Sequence, residues 1–62
     1  MQIEFYRYDR NSEGEFVKSI LSVYTYEIGI TKNEAIANAV KLFEEEIKPK
    51  KWNQFAHGYL VS

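Results

Sequence analysis

The hydrophobic pattern of this chain changes its period once, at Gly29, and that change constrains the fold more than any other feature of the sequence. Before Gly29, aromatic and β-branched residues alternate with polar ones, as in strands, whereas from Thr31 to Lys48 the apolar residues recur at helical spacing. Thr31 and Glu34 form a capping-box pair at the start of that helix, and Pro49 ends it. The sequence therefore predicts one amphipathic helix after a strand-forming segment.

Three strands are predicted around this helix. The first covers Gln2–Asp9 and the second Glu15–Glu27, and the turn residues Ser12–Gly14 join them as a three-residue hairpin loop. After the helix, a polar and aromatic connection, Trp52–Gly58, leads to a short closing strand, Tyr59–Val61. The predicted order is strand, strand, helix, strand.

This order predicts the topology of a single α+β domain over residues 1–62. A right-handed crossover from the second strand to the third passes over the first strand, so the first strand lies in the middle and the outer two are parallel to each other. The expected structure is a two-layer ββαβ domain, in which a three-stranded sheet of order 2-1-3 carries one helix on one face.

The hairpin loop also predicts which side chains share a face of the sheet. It places Ile3 opposite Val23, Phe5 opposite Leu21 and Asp9 opposite Val17, all pointing toward the helix. By strict alternation the other face is predicted to carry a set of aromatic and branched residues, namely Tyr6, Tyr8, Phe16, Ile20, Tyr24 and Tyr26. No second helix is available to cover them.

Two interpretations of this uncovered face are open. Tyrosine has a high strand propensity and keeps its hydroxyl hydrated, so the face could serve stability alone. However, a contiguous apolar patch commonly marks an interaction site. A chain of 62 residues without cysteine also has a marginal core and gains from a partner. We therefore predict a protein-binding face, whose partner is either a second copy in a homodimer or a foreign protein.

The residue inventory offers little for catalysis or for a cofactor. With no cysteine and with His57 as the single histidine, neither a thiolate nor a multi-histidine metal site is expected. His57 has no acidic neighbour in the sequence to make it a general base. The side chains of Glu44–Glu46 point about 100° apart on a helix and do not converge on one ion. We predict a protein that is not an enzyme and needs no metal or cofactor.

Single-stranded nucleic acid is the alternative partner. Aromatic side chains beside Lys18 and Arg10 could stack bases and hold phosphates. The formal charge of −1 and the pI near 5.7 argue against general attraction to phosphate or to anionic lipid. The sequence also has no signal-peptide pattern and no apolar run long enough to span a membrane, so we predict a cytoplasmic location and no membrane partner.

Trp52 is the last candidate contact residue. Trp52 and Phe55 either fold down to close the end of the core, or Trp52 projects beside Lys50 and Lys51 as a second contact site. In size the chain resembles the accessory gene products of phages and other mobile elements, which often occupy the surface of a host protein. That resemblance implies that the protein binds a host protein and acts as its inhibitor or regulator.

Overall fold

A computed structural model describes residues 1–62 and contains three strands and two helices. The elements in chain order are β1 (Gln2–Arg10), β2 (Phe16–Thr25), α1 (Lys32–Ile47), α2 (Trp52–Phe55) and β3 (Gly58–Val61). The strands form one sheet of order β2-β1-β3, in which β1 pairs antiparallel with both neighbours. The α+β class and the predicted strand order are confirmed.

The hairpin between β1 and β2 closes with the three-residue loop that the sequence predicts. The Asn11 backbone N–H donates to the Glu15 carbonyl at 2.9 Å, and Gly14 has a φ of +82°. The Asn11 side-chain oxygen also accepts from the backbone N–H groups of Glu13 and Glu15. Asparagine and glycine therefore satisfy the backbone of the turn at the two positions that need them.

The register of the hairpin follows the prediction only in its outer part, next to the loop. There Asp9 lies opposite Val17 as expected, and the ladder runs without a break as far as the pair of Tyr6 and Ile20. Between Phe5 and Tyr6 the register shifts by one residue, which leaves Leu21 as an extra residue in β2.

This β-bulge reverses the facing of every residue in the rest of β2. The observed inner pairs are Phe5 with Ser22, Glu4 with Val23 and Ile3 with Tyr24. The predicted pairing of Ile3 with Val23 and of Phe5 with Leu21 is therefore wrong. Because side chains alternate along a strand, Tyr24 turns to the helix side and Val23 to the opposite side.

Helix α1 begins at the predicted cap and packs through its small residues. The Thr31 side-chain oxygen accepts from the Glu34 backbone N–H at 3.2 Å, and the reciprocal bond of a full capping box is absent. Ala35 and Ala39 are fully buried, and their small side chains let the helix lie close to the sheet. The helix ends at Ile47, just before the predicted stop at Pro49.

The core lies between α1 and the inner half of the sheet. Its six buried residues are Ile3, Phe5, Ala35, Ala39, Phe43 and Ala56. The rings of Phe5 and Phe43 are stacked with their centroids 4.3 Å apart, which makes this pair the centre of the core.

The connection after α1 is not the irregular segment that the sequence predicts, because residues Trp52–Phe55 form one helical turn, α2. The Trp52 backbone N–H donates to the Glu44 carboxylate at 2.9 Å, and the Trp52 ring meets the Tyr59 ring edge-on at 5.5 Å. Phe55 packs at 6.2 Å from Phe43. Both large rings therefore close the end of the core. Neither helix is long and apolar enough to cross a membrane.

Candidate protein-binding surface

The sheet surface that faces away from α1, called the open face here, has no secondary-structure element against it. Since Ile3 and Phe5 point into the core, the alternate residues of β1 and their partners across the ladder point the other way. The open face comprises Gln2, Glu4, Tyr6, Tyr8, Arg10, Phe16, Lys18, Ile20, Val23, Thr25, Gly58 and Leu60.

The apolar side chains of the open face are unusually exposed. The exposed fractions are 68% for Phe16, 48% for Ile20 and Val23, and 45% for Tyr8 and Leu60. An aromatic side chain has roughly 150–250 Å² to bury, so these residues together leave an apolar patch of several hundred Å². Four of the predicted contact residues lie in this patch, namely Tyr6, Tyr8, Phe16 and Ile20. Val23, which the sequence predicts on the helix side, and Leu60, which it assigns to neither face, also lie in this patch.

Tyr24 and Tyr26 do not lie on the open face, so their predicted place there is wrong. Both pack against the core, and the Tyr24 ring meets Phe5 edge-on at 6.1 Å. The physical reason is the bulge at Leu21, which turns the inner end of β2 over. A contact role for these two tyrosines loses the geometric basis on which it was predicted.

The hydroxyl groups of Tyr24 and Tyr26 are shielded from solvent and make no well-formed hydrogen bond, and that of Tyr24 lies near the side chains of Ser22 and Glu46. Burial raises the pKa of Tyr24 above its usual value of 10.0; Ser22 lowers this pKa in part, and the Glu46 carboxylate raises it. The neutral phenol is therefore the form that this environment favours.

Trp52 lies on the core side of the sheet as well. It is half-buried against the core, and its ring lies 6.0 Å from Phe5. Of its two lysine neighbours, Lys50 reaches over the Phe55 ring at 5.3 Å. Trp52 is thus separated from the open face by the sheet itself.

The two cations of the open face lie against its aromatic rings. The Lys18 ammonium nitrogen is 4.9 Å from the centroid of Tyr6, and the Arg10 guanidinium carbon is 5.0 Å from that of Phe16. Such contacts are favourable, and they occupy one face of each ring. On the same surface, the rings of Tyr6 and Tyr8 meet edge-on at 5.6 Å.

His57 extends the pairing of β1 beyond the first residue of β3. Its backbone N–H donates to the Tyr6 carbonyl at 2.8 Å, and its Nδ1 atom accepts from the Tyr8 backbone N–H at 2.7 Å. The imidazole therefore supplies the acceptor that another strand residue would have supplied. No acid contacts it, so its geometry is that of a structural residue.

Gly58 permits the close approach of Tyr6 that shapes the middle of the open face. A β-carbon added at Gly58 would lie 2.6 Å from the Tyr6 hydroxyl oxygen, so the ring covers this part of β3. The pair lies directly across the ladder. The sequence predicts that Gly58 lies in the connection before the closing strand, and only the strand register reveals its role.

A groove lies at the end of α1. It has a volume of about 350 Å³, and its lining includes Lys41, Lys48 and Lys51. Its carboxylates already have partners, since Glu44 accepts from Trp52 and Glu45 forms a 2.8 Å salt bridge with Lys48 that lowers the pKa of Glu45. No group of three or more potential metal ligands exists in the structure.

Comparison of the chain with protein-family models, with curated proteins and with solved structures gives no match. The function of the chain is therefore inferred from the geometry of the open face.

Proposed function

We propose that the protein is a non-enzymatic protein-binding module and that the open face is its contact surface. The observation that carries the proposal is the group of five apolar side chains, each exposed by 45% or more, on a sheet face that nothing covers. Monomeric proteins seldom expose a contiguous patch of this kind unless it binds something. Such a module acts by occupying the surface of its partner, as an inhibitor or a regulator does.

The composition of the open face supports a protein partner. Aromatic residues and arginine are enriched at the centres of protein interfaces, and the face presents Tyr8, Phe16 and Arg10 together. Strands also hold these side chains on a rigid surface, so that little conformational freedom is lost on binding. Phe16 contributes little to the core, because it lies at the far end of β2 from α1.

The arrangement of the cations disfavours the nucleic-acid alternative. Base stacking needs free ring faces, and Lys18 over Tyr6 and Arg10 over Phe16 each occupy one of the two faces of their ring. The open face also carries Glu4, and the whole chain has a formal charge of −1. We expect no retention on a heparin column at low salt, whereas a single-strand binder would be retained.

Site-specific photocrosslinking tests the proposal. A photoreactive amino acid replaces Ile20 on the open face or Leu42 on α1, which are both 48% exposed. The two variants are expressed in the source cells and irradiated, and the crosslinked products are identified by mass spectrometry. We expect position 20 to give a specific protein adduct and position 42 to give none.

The matched pair makes the result interpretable, because both probes have equal access to solvent. Adducts of equal yield at both positions would indicate random collisions and would contradict the proposal. Adducts to RNA or DNA at position 20 would instead favour the nucleic-acid alternative.

A further inference from the structure

The open face carries opposite charges at its two ends. Beyond the uncharged pair of Gln2 with Thr25 at its inner end, the pairs across the ladders divide it into four levels: Glu4 with Val23 and Leu60, then Tyr6 with Ile20, then Tyr8 with Lys18, and finally Arg10 with Phe16. The only salt bridges in the molecule are Arg7 with Asp9 and Lys48 with Glu45. The carboxylate of Glu4 and the guanidinium of Arg10 therefore both lack an ionic partner.

Such a pattern is complementary to itself under one particular rotation. A twofold axis that lies in the plane of the interface, crosses the strands and passes between the second and third levels places Glu4 opposite Arg10 of a second copy. By symmetry Arg10 then lies opposite Glu4 of that copy, so one contact forms two ion pairs.

We propose that the partner of the open face is a second copy of this chain, packed face to face through this axis. The inference rests on the proposed function, since it names the partner of the same surface. The product is a sandwich of two sheets whose open faces meet, a packing in which sheets lie about 10 Å apart with their strands roughly 30° from alignment.

The same rotation also brings the apolar residues together. It sets Val23 against Phe16 of the second copy, and Tyr6 against Tyr8 of the second copy. Ile20 meets the aliphatic stem of Lys18 of the second copy, whose ammonium group already lies over a ring. Each of the exposed apolar side chains of β1 and β2 on this face thus gains an apolar neighbour.

Charge excludes the other simple face-to-face arrangement. An axis parallel to the strands keeps every residue at its own level, so that Glu4 faces Glu4 and Arg10 faces Arg10. Like charges in such positions are costly when they are removed from water. Stable protein pairs bury about 800 Å² per partner. The apolar patch reaches that range only when the charged residues at its rim are included. Because these charges must be buried too, their signs determine which arrangement forms.

Sedimentation equilibrium with charge-reversed variants tests this arrangement. We expect the wild-type chain to dimerise, and we expect Glu4→Arg and Arg10→Glu each to raise the dimer dissociation constant by about tenfold or more through like-charge contacts. In an equimolar mixture of the two variants, the mixed dimer can form both ion pairs again, one as in the wild-type dimer and one with its signs exchanged. We expect that mixture to dimerise with nearly wild-type affinity.

Two controls accompany the measurement. Thermal unfolding shows whether each variant is folded, and the milder Glu4→Gln and Arg10→Gln replace any that is not. Val17→Ser, at an apolar position of β2 on the opposite side of the sheet, is expected to leave the dimer unchanged.

Three outcomes would overturn the inference: a wild-type chain that stays monomeric at all concentrations, a dimer that the charge variants do not weaken, or a mixture that does not recover. The second outcome would point to pairing along the free edge of β2 instead. A monomeric chain that still gives a foreign-protein adduct at position 20 would leave the proposed function standing while this inference fails.

Discussion

The β1-β2 hairpin has an inner half, in which residues 2–5 pair with 22–25, and an outer half, in which residues 6–10 pair with 16–20. The two halves have similar residues but differ in how far they are buried. In the inner half, Ile3 and Phe5 have no exposed surface because α1 and its alanines cover them. In the outer half, Phe16 is 68% exposed and no helix reaches it. The bulge at Leu21 marks the boundary between the halves. An aromatic residue in this chain therefore stabilises the fold where α1 covers it and is available for binding where no helix covers it. Residue type alone does not decide between these roles.

This division separates the residues that stabilise the fold from those available for binding. The inner half holds both buried residues of the hairpin, Ile3 and Phe5, and Phe5 stacks on Phe43 at the centre of the core. The outer half holds the larger part of the apolar patch and both cations of the open face. Substitutions in the two halves should therefore affect different measurements.

Phe5→Ala is expected to have the largest effect. It removes the ring at the centre of the core, and such substitutions cost about 3–5 kcal/mol, which is most of the stability of a small domain. Phe16→Ala removes the same group from an exposed position and should cost less than about 1 kcal/mol. Urea denaturation followed by circular dichroism measures both. Equal losses would show that the outer half belongs to the core after all.

Tyr24→Ser and Tyr8→Ser compare the two faces of the sheet. Tyr24 packs on Phe5, so its loss should cost about 2–4 kcal/mol, whereas Tyr8 is 45% exposed and its loss should cost about 1 kcal/mol or less. In the binding assays the order should reverse, with Tyr8→Ser weakening association and Tyr24→Ser acting only through stability. A larger stability loss for Tyr8→Ser would contradict the observed register.

These two tyrosines also show how far the sequence determines the fold. The element order, the hairpin loop and the strand order follow from local signals, because turn residues, a cap and a change of period each act over a few positions. The facing of Tyr24 depends instead on a bulge, and bulges often occur at residues that carry no glycine or proline signal. Leu21 is such a residue. Strict alternation therefore predicts the wrong face for the residues of β2 that follow it.

The sequence predicts the candidate site correctly only where the register follows from the hairpin turn. Tyr6, Tyr8, Phe16 and Ile20 lie between the loop and the bulge or directly next to it, where the register is fixed by the turn. Val23 and Leu60 were missed because their facing depends on the bulge and on the register of β3. The hydrogen bond of His57 to the Tyr8 backbone was missed because it joins residues 49 positions apart. Long-range geometry of this kind leaves no local pattern.

Thr31→Ala should lower stability by about 1 kcal/mol, because the Glu34 backbone N–H loses its acceptor. The cap supports α1, which covers only the inner half, so association through the open face should fall no further than folding does. Thr31→Ser keeps the oxygen and serves as the matched control in the same denaturation experiment. A loss of association at full stability would identify Thr31 as a contact residue.

His57→Ala should have a local effect where the two halves meet. The Tyr8 backbone N–H loses its acceptor, at a net cost of about 0.5–1.5 kcal/mol. Amide hydrogen exchange should therefore speed up at Tyr8 and remain slow at Phe5 in the core. His57→Asn places an oxygen near the position of Nδ1 and should restore most of the protection. Uniformly faster exchange would mean that His57 supports the whole fold.

Tyr24→Phe should have the smallest effect at neutral pH. The Tyr24 hydroxyl is shielded from solvent and makes no well-formed hydrogen bond, so its removal should leave stability unchanged within about 0.5 kcal/mol or raise it slightly. The difference should grow in alkali. Because burial raises the pKa of Tyr24 above 10.0, the folded state holds this proton more tightly than the unfolded state does. The stability linked to Tyr24 is therefore complete below pH 10.0 and is lost as the pH rises through the folded-state pKa.

The other four tyrosines are present in both proteins, so the difference between wild type and Tyr24→Phe isolates this group. Free energies of unfolding, measured from neutral pH upward, should fall more steeply for wild type above pH 10.0. Tyr8→Phe, on the open face, should follow the wild-type curve. If the curves of wild type and Tyr24→Phe stayed parallel, the Tyr24 hydroxyl would be hydrated in the folded protein, and the inner half would be less well covered than the comparison of the two halves requires.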